Sequence, residues 1–368
     1  MFTARLMVVL FCLCLLFSPT LVLAKKKIPD QSSEGQVLLW KFNQTGNKAL
    51  IPDISLIGIV SGAYFRDDPA TVQWPNPTRT GFNLQAAELG IQSVVDPYIR
   101  ADVFIHMLED GLEVEEAFIT TLTLPLNLQI RAGKFRARLG RENTQHLDQK
   151  HFADYSRLRR YFLGNEGLTD LGAELSVLLP VSWFSELSFD FMQGRNDVSF
   201  DSPRKQDFLY VGHWANSFNL TTNLTMQVGV SGAFGNNVTV RKLTQIYAGD
   251  LYLRWRPHER RGFKWETEYY YRSLEGAVAT AKEGGVTTSM VYQFARRFEA
   301  GARFDAIGFP EDAFSQYQVS PILTFVATEF FRLRGQYNFL HTDGAGKKQH
   351  EAFLQLMFNM GPHGAHSF

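Results

Sequence analysis

From Asp53 onward the chain alternates apolar and polar residues with a period of two rather than 3.6. Phe331, Leu333, Gly335, Tyr337 and Phe339 share one phase, and Arg332, Arg334, Gln336 and Asn338 share the other. Phe263, Trp265, Thr267, Tyr269 and Tyr271 likewise oppose Lys264, Glu266, Glu268 and Arg272, and Leu187, Phe189 and Phe191 oppose Glu186, Ser188 and Asp190. Such runs predict about sixteen strands, near 53–65, 82–94, 98–108, 112–123, 127–138, 170–179, 184–193, 206–215, 221–234, 242–255, 263–274, 285–295, 297–308, 314–327, 330–341 and 349–360. Most even-numbered gaps are tight, as at Asp96-Pro97, Leu124-Pro125-Leu126, Pro180-Val181 and Glu329. Most odd-numbered gaps are long or rich in Gly, Asp and Asn. Long loops at one end and short turns at the other are the anatomy of a transmembrane antiparallel β-barrel.

Two gaps depart from this rhythm. Glu109-Asp110-Gly111 is short where a long loop is due. The gap 139–169 is long, and Leu147, Tyr155, Leu158 and Phe162 recur in it near helical spacing. This partly helical loop is a candidate for folding into the lumen, either narrowing or plugging it.

Parity alone fits two all-β architectures. In a soluble β-sandwich the apolar face packs inward; in a large barrel it faces lipid and the polar face lines a wet lumen. Strand length favours the barrel, since these runs exceed the common mode of about 5–6 residues. Aromatics flank many strands, as interfacial girdles do, and 14% of the chain is aromatic.

Residues 1–24 read as a signal peptide: Arg5 is the basic flank, Leu6 to Phe17 the apolar stretch, and Val22-Leu23-Ala24 the cleavage site. Both cysteines, Cys12 and Cys14, lie within it. The remainder has no disulfide, no Cys nucleophile and no Cys-ligated metal, so either a large core or a closed backbone ladder must hold it together. The division expected is 1–24 signal peptide, 25–52 periplasmic lead-in, 53–360 barrel and 361–368 tail. Lys+Arg and Asp+Glu both total 37, a balance that argues against nucleic acid as a partner.

The densest basic run holds Arg131, Lys134, Arg136, Arg138 and Arg141, followed by Arg157, Arg159 and Arg160 in the long loop. Arg131 has one phase and Lys134, Arg136 and Arg138 the other. A bulge at Gly133 would turn all four toward the lumen. Two readings stand: a basic constriction that favours anions, or ion pairs with lumen carboxylates that hold the loop. Arg254 and Arg256 are expected to face Glu266 and Glu268, with Glu299, Arg303 and Asp305 neutralising one another. His146 with Asp148, His151 with Asp154, and His363 with His366 are read as hydrogen-bonded or exposed histidines rather than metal ligands. Neither a metal nor a cofactor is expected. No G-x-S-x-G, H-E-x-x-H or Walker sequence occurs, so no enzyme is expected. The sequons at Asn43, Asn219, Asn223 and Asn237 are read as chance.

The segments IPDISLIG at 51–58, EEAFITTLTLPLNLQIRAGKFRARLGREN at 115–143, RRYFLGNEGLTDLGAELSVLLP at 159–180 and the tail FNMGPHGAHSF resemble bacterial outer-membrane porins of the phosphate/carbohydrate-selective porin-like kind, as found in delta-proteobacteria. The resemblance implies a homotrimeric channel in the outer membrane of a Gram-negative bacterium. Its partners would be lipid, lipopolysaccharide, the barrel assembly machinery and small hydrophilic solutes that diffuse passively. A non-conducting or ligand-binding barrel closed by loop 139–169 is the alternative. Phe368 supplies the terminal aromatic usual in such barrels, but Gly361, Pro362 and Gly364 interrupt the strand before it.

Overall fold

The computed structural model describes residues 52–66, 77, 79–108, 111–239, 242–258, 260–309, 316–342 and 348–361. The segments expected to be a signal peptide and a lead-in, through Ile51 and with Asn43, and the tail from Pro362, with His363, His366 and Phe368, lie outside them. No described helix is long and apolar enough to cross a membrane.

The strands are β1 (Asp53–Phe65), β2 (Gly81–Asp96), β3 (Ile99–Leu108), β4 (Gly111–Thr121), β5 (Leu128–Arg136), β6 (Thr169–Leu178), β7 (Phe184–Met192), β8 (Arg195–Asn196), β9 (Phe200–Asp201), β10 (Leu209–Thr221), β11 (Leu224–Asn236), β12 (Leu243–His258), β13 (Arg261–Glu275), β14 (Thr280–Ala295), β15 (Phe298–Phe309), β16 (Gln316–Thr328), β17 (Phe331–Thr342) and β18 (Lys348–Met360). Sixteen of them form one closed antiparallel barrel, in which β1 pairs with both β2 and β18. The short β8 and β9 pair only with each other, as a ribbon in the connection from β7 to β10. Closure leaves the barrel no sheet edge, and the described residues, which include no cysteine, are held by that ladder.

The two residue phases separate as a barrel requires. Phe189, Tyr337 and Leu354 are exposed, while Asp190, Arg334, Gln336, Asn338 and Gln355 are buried. Apolar side chains therefore point out and polar ones in. β1 is the exception, for Ile57, Ile59, Ala63 and Phe65 are buried and Tyr64 is exposed. Its inward residues meet apolar side chains of the connection between β5 and β6: Leu147 and Tyr155 with Ile57 and Ile59, and Ala153 with Ala63 and Phe65.

The ladder corrects one sequence expectation. Gly133 is not a bulge, because β5 pairs in unbroken register through it with both β4 and β6. It adopts φ of +140°, and a Cβ there would lie 2.2 Å from the Ala117 carbonyl oxygen. The glycine serves close approach of β4. The bulge lies instead in β4, where Phe104 pairs with Glu116 and Ile105 with Val114, leaving Glu115 as the extra residue. A second correction concerns β12, where Arg254 lies opposite Lys264 and Asp250 opposite Glu268, so the expected Arg–Glu facing is out of register.

Candidate functional site

Residues 137–168, between β5 and β6, are the longest described connection without a strand, and most are buried. Gly140 turns the chain at φ of +67°, where a Cβ would meet the Tyr270 hydroxyl at 2.5 Å. One short helix follows, α1 (Arg157–Leu163). Ser156 caps it by accepting the Arg159 N–H, and Ser156 is itself held by Glu142. Leu158 and Phe162, four apart on α1, share one face and pack with Phe135, Leu168, Ile246 and Tyr270. Leu147 and Tyr155 precede the helix and join the β1 cluster instead.

Polar ties run from the segment to strands all round the barrel. His146 Nδ1 lies 2.8 Å from Glu88 Oε2 of β2, and its Nε2 lies 2.6 Å from Glu116 Oε2 of β4. The Arg138 amide donates to Asp190 of β7, and the Gly140 amide to Ser231 of β11, both at 3.0 Å. The Tyr270 hydroxyl of β13 donates to the Leu139 carbonyl at 2.8 Å. Asp154 is the hub on the far side. Its carboxylate accepts from Arg303 at 2.9 Å, Gln336 at 2.7 Å, Arg160 at 3.2 Å and Asn338 at 3.2 Å. Arg334 of β17 donates to the Phe152 and Lys150 carbonyls at 2.8 and 2.9 Å.

These neighbours set the titration of the segment's own groups. Burial works against the charged Asp154 carboxylate, but Arg303 and Arg160 outweigh it and hold its pKa below the usual range. Glu142 behaves likewise: burial is overcome by Lys150 and Arg303, which bring it down to about 2. Burial also opposes a charged His146, yet Glu115 and Glu88 keep its pKa well above the ordinary imidazole value. His151 goes the other way, since burial and then Lys264 lower it to about 4.

The eight basic residues singled out in the sequence fall into three groups. Six have a carboxylate within 4 Å: Arg131 with Glu174, Lys134 with Glu113, Arg136 with Glu115, Arg138 with Glu174 and Glu186, Arg141 with Glu266, and Arg160 with Asp154. Lys134 stands apart even so. It is opposite the exposed Leu171, is 31% exposed itself, and donates to the Val114 carbonyl at 2.6 Å. The shared inward phase expected for Lys134, Arg136 and Arg138 therefore does not hold, because no bulge at Gly133 shifts it. Arg157 donates to Gln316 at 2.8 Å, and its amide to Asp305 at 3.3 Å. Arg159 forms no carboxylate pair among the described residues. It lies 3.7 Å over the Tyr155 ring, donates to the Asn165 carbonyl at 2.9 Å, and burial lowers its pKa.

Sequence reasoning passed over Glu88, His106, Glu115, Glu116 and Tyr270. Two of these left a signal. Adjacent acids in a strand with one apolar face require a bulge, and Glu115 and Glu116 are both buried. Tyr270 shares the phase of Glu268 and Arg272, in a run of three tyrosines that masks it.

No family model matches the chain. The Comamonas acidovorans anion-selective porin is similar in fold, with a TM-score of 0.61, 10% identity, and 84% of this chain and 99% of that one covered. A loop L8 deletion mutant of OmpT, an outer membrane protein of Vibrio cholerae, gives a TM-score of 0.58 at 11% identity, covering 84% and 99%. The trimer form of OmpT gives 0.56 at 11% identity, with the same coverage. An Aquifex aeolicus (strain VF5) protein described only as uncharacterized is 32% identical over 339 residues, covering 79% of this chain and 71% of that protein. At that identity and length two chains share one fold and one descent, so this porin-like sixteen-stranded barrel belongs to the same family as the Aquifex aeolicus protein.

Proposed function

We propose that the chain is an outer-membrane channel for small hydrophilic solutes, with segment 137–168 folded into the lumen, where it sets the bore. One observation carries this reading: on a closed ladder the apolar phase is exposed and the polar phase buried, as lipid outside and water inside demand. The polar ties of the segment to strands on every side support its place inside. The trimeric form of OmpT supports a homotrimer. Membership of the phosphate/carbohydrate-selective porin-like group is part of the same proposal, as are passive diffusion and the absence of catalysis.

Charge preference is read as weak. Six of the eight candidate cations sit beside carboxylates, so little unopposed positive field is left to concentrate anions. A second reading, a barrel shut by the segment, is favoured by the size of the spaces beside it. The cavity at Glu88, His106 and Tyr155 measures about 40 Å³, and that at Lys150 and Glu266 about 20 Å³. Each has room for no more than a few water molecules.

Planar-bilayer recording on the full chain and on a deletion of 143–166 separates the two. Steady current from the full chain supports the channel. Current only after the deletion supports the shut barrel. Inserted protein that conducts in neither form refutes both.

A further inference from the structure

We propose a divalent-cation site of the zinc class on the inner wall, formed by Glu88 of β2, His106 of β3 and Glu115 of β4. The inference is independent of whether the barrel conducts. Backbone register builds the site. Glu88 pairs directly with His106 across β2 and β3. The β4 bulge then brings Glu115 to the same side as Glu116, and both are buried. A regular strand would have sent one of these acids to the outer face.

The donor atoms converge. His106 Nε2 lies 3.7 Å from Glu88 Oε2 and 3.2 Å from Glu115 Oε2, and all three donors lie within 4.8 Å of one another. Ligands about 2.0–2.2 Å from a tetrahedral zinc lie roughly 3.3–3.6 Å apart, so little movement is needed. Glu115 is 5% exposed, and its Oε1 is taken by Arg136. Its Oε2 is buried and accepts no hydrogen bond, although His106 Nε2 is 3.2 Å away. An oxygen and a ring nitrogen this close are spaced nearly as two ligands of one tetrahedral cation are spaced. All three side chains border the cavity of about 40 Å³.

Charge and the surrounding contacts agree. The carboxylates of Glu88, Glu115 and Glu116 gather around the imidazoles of His106 and His146, beside the Arg136 guanidinium. Mixed imidazole and carboxylate donors suit zinc. His146 Nδ1 lies 2.8 Å from Glu88 Oε2 and 3.5 Å from Glu115 Oε2, and its Nε2 lies 2.6 Å from Glu116 Oε2, so segment 137–168 borders the site.

The test uses the full chain, purified in detergent, stripped with a chelator and titrated with Zn²⁺ alone by calorimetry. One equivalent is expected. His106→Gln and Glu115→Gln should each weaken it at least tenfold, and His213→Gln, outside the cluster, should not. Cobalt(II) should give the visible absorption of a tetrahedral ion in the wild type and lose it in His106→Gln. Faster gel mobility before boiling verifies that each variant is folded; if His106→Gln fails it, Glu88→Gln takes its place. Absence of zinc uptake by the folded wild type overturns the proposal. So does uptake that survives in a folded wall variant, including uptake lost only when His363 and His366 are replaced.

Discussion

Asp154→Asn isolates the hub that holds the segment. The change keeps the side chain's shape and removes its charge. In the wild type the carboxylate is 2% exposed and faces two guanidiniums, Arg303 at 2.9 Å and Arg160 at 3.2 Å. An asparagine amide presents N–H donors to those same donors. Removing one member of a buried pair costs about 3–5 kcal/mol, chiefly by leaving the partner's charge uncompensated. Arg303 keeps Asp305 at 3.0 Å, which places the expected loss near the lower bound. A loss of about 3 kcal/mol corresponds to a rise of roughly 10²-fold in the population of the detached segment. Amide hydrogen exchange reads that population directly. The reporters are the Ala153 amide, bonded to Gln336 Oε1 at 2.7 Å, and the α1 amides of Arg160 and Gly164. Their exchange should accelerate about 10²-fold, while ladder amides in β13 and β14 stay protected. Exchange within about twofold of wild type would refute the hub. Equal acceleration in the ladder would mean that segment and barrel open as one unit, and would refute the idea of a separately detachable segment.

Leu158→Ala removes a fully buried side chain from the α1 cluster and should destabilise the attached segment by about 2–5 kcal/mol, seen as faster exchange at Arg160 and Gly164 with little change in the barrel's unboiled gel mobility. Attachment should also depend on pH in both directions. Asp154 and Glu142 have lowered pKa values, so their contribution is full above the ordinary carboxylate range and is lost as pH falls through the lowered values, about 2 for Glu142. His146 has a raised pKa, so its contribution is full below the ordinary imidazole value and is lost as pH rises through the raised one. Protection corrected for intrinsic rates should therefore be greatest between the ordinary carboxylate and imidazole values and fall both in acid and as pH rises above the ordinary imidazole value; a monotonic rise with pH contradicts the assignment. Lys134→Glu should leave the reversal potential in a salt gradient unchanged, because Lys134 is partly exposed opposite Leu171 and away from the buried ties.

The barrel was legible because most strands carry one exposed apolar and one buried polar phase, and a period of two survives closure. Boundaries drifted where phase stopped marking burial. The strand expected at 206–215 begins at Leu209, since the residues before it belong to the connection that contains the β8–β9 ribbon. The strand expected at 285–295 begins at Thr280, because its first residues are polar in both phases and still pair with β13. The inward apolar face of β1 was not legible at all. DISLIGIVSGAYF is apolar in both phases, and only the arrival of Leu147, Ala153 and Tyr155 explains why Ile57 and Phe65 point in.

The basic run was legible as a cluster, and its meaning was not, because meaning lies in partners far along the chain. Arg131 meets Glu174 across 43 positions, and Arg303 meets Asp154 across 149. No local pattern encodes such pairs. The equal totals of 37 acidic and 37 basic residues do constrain them, since a polar phase this densely charged can be buried only if its charges are matched. Matching has a functional consequence. The carboxylates that fasten Arg138, Arg141 and Arg160 cancel the field those cations would otherwise send into a lumen. A segment held by ion pairs and a constriction that selects anions therefore make opposite demands on the same residues, and Arg138, Arg141 and Arg160 are paired.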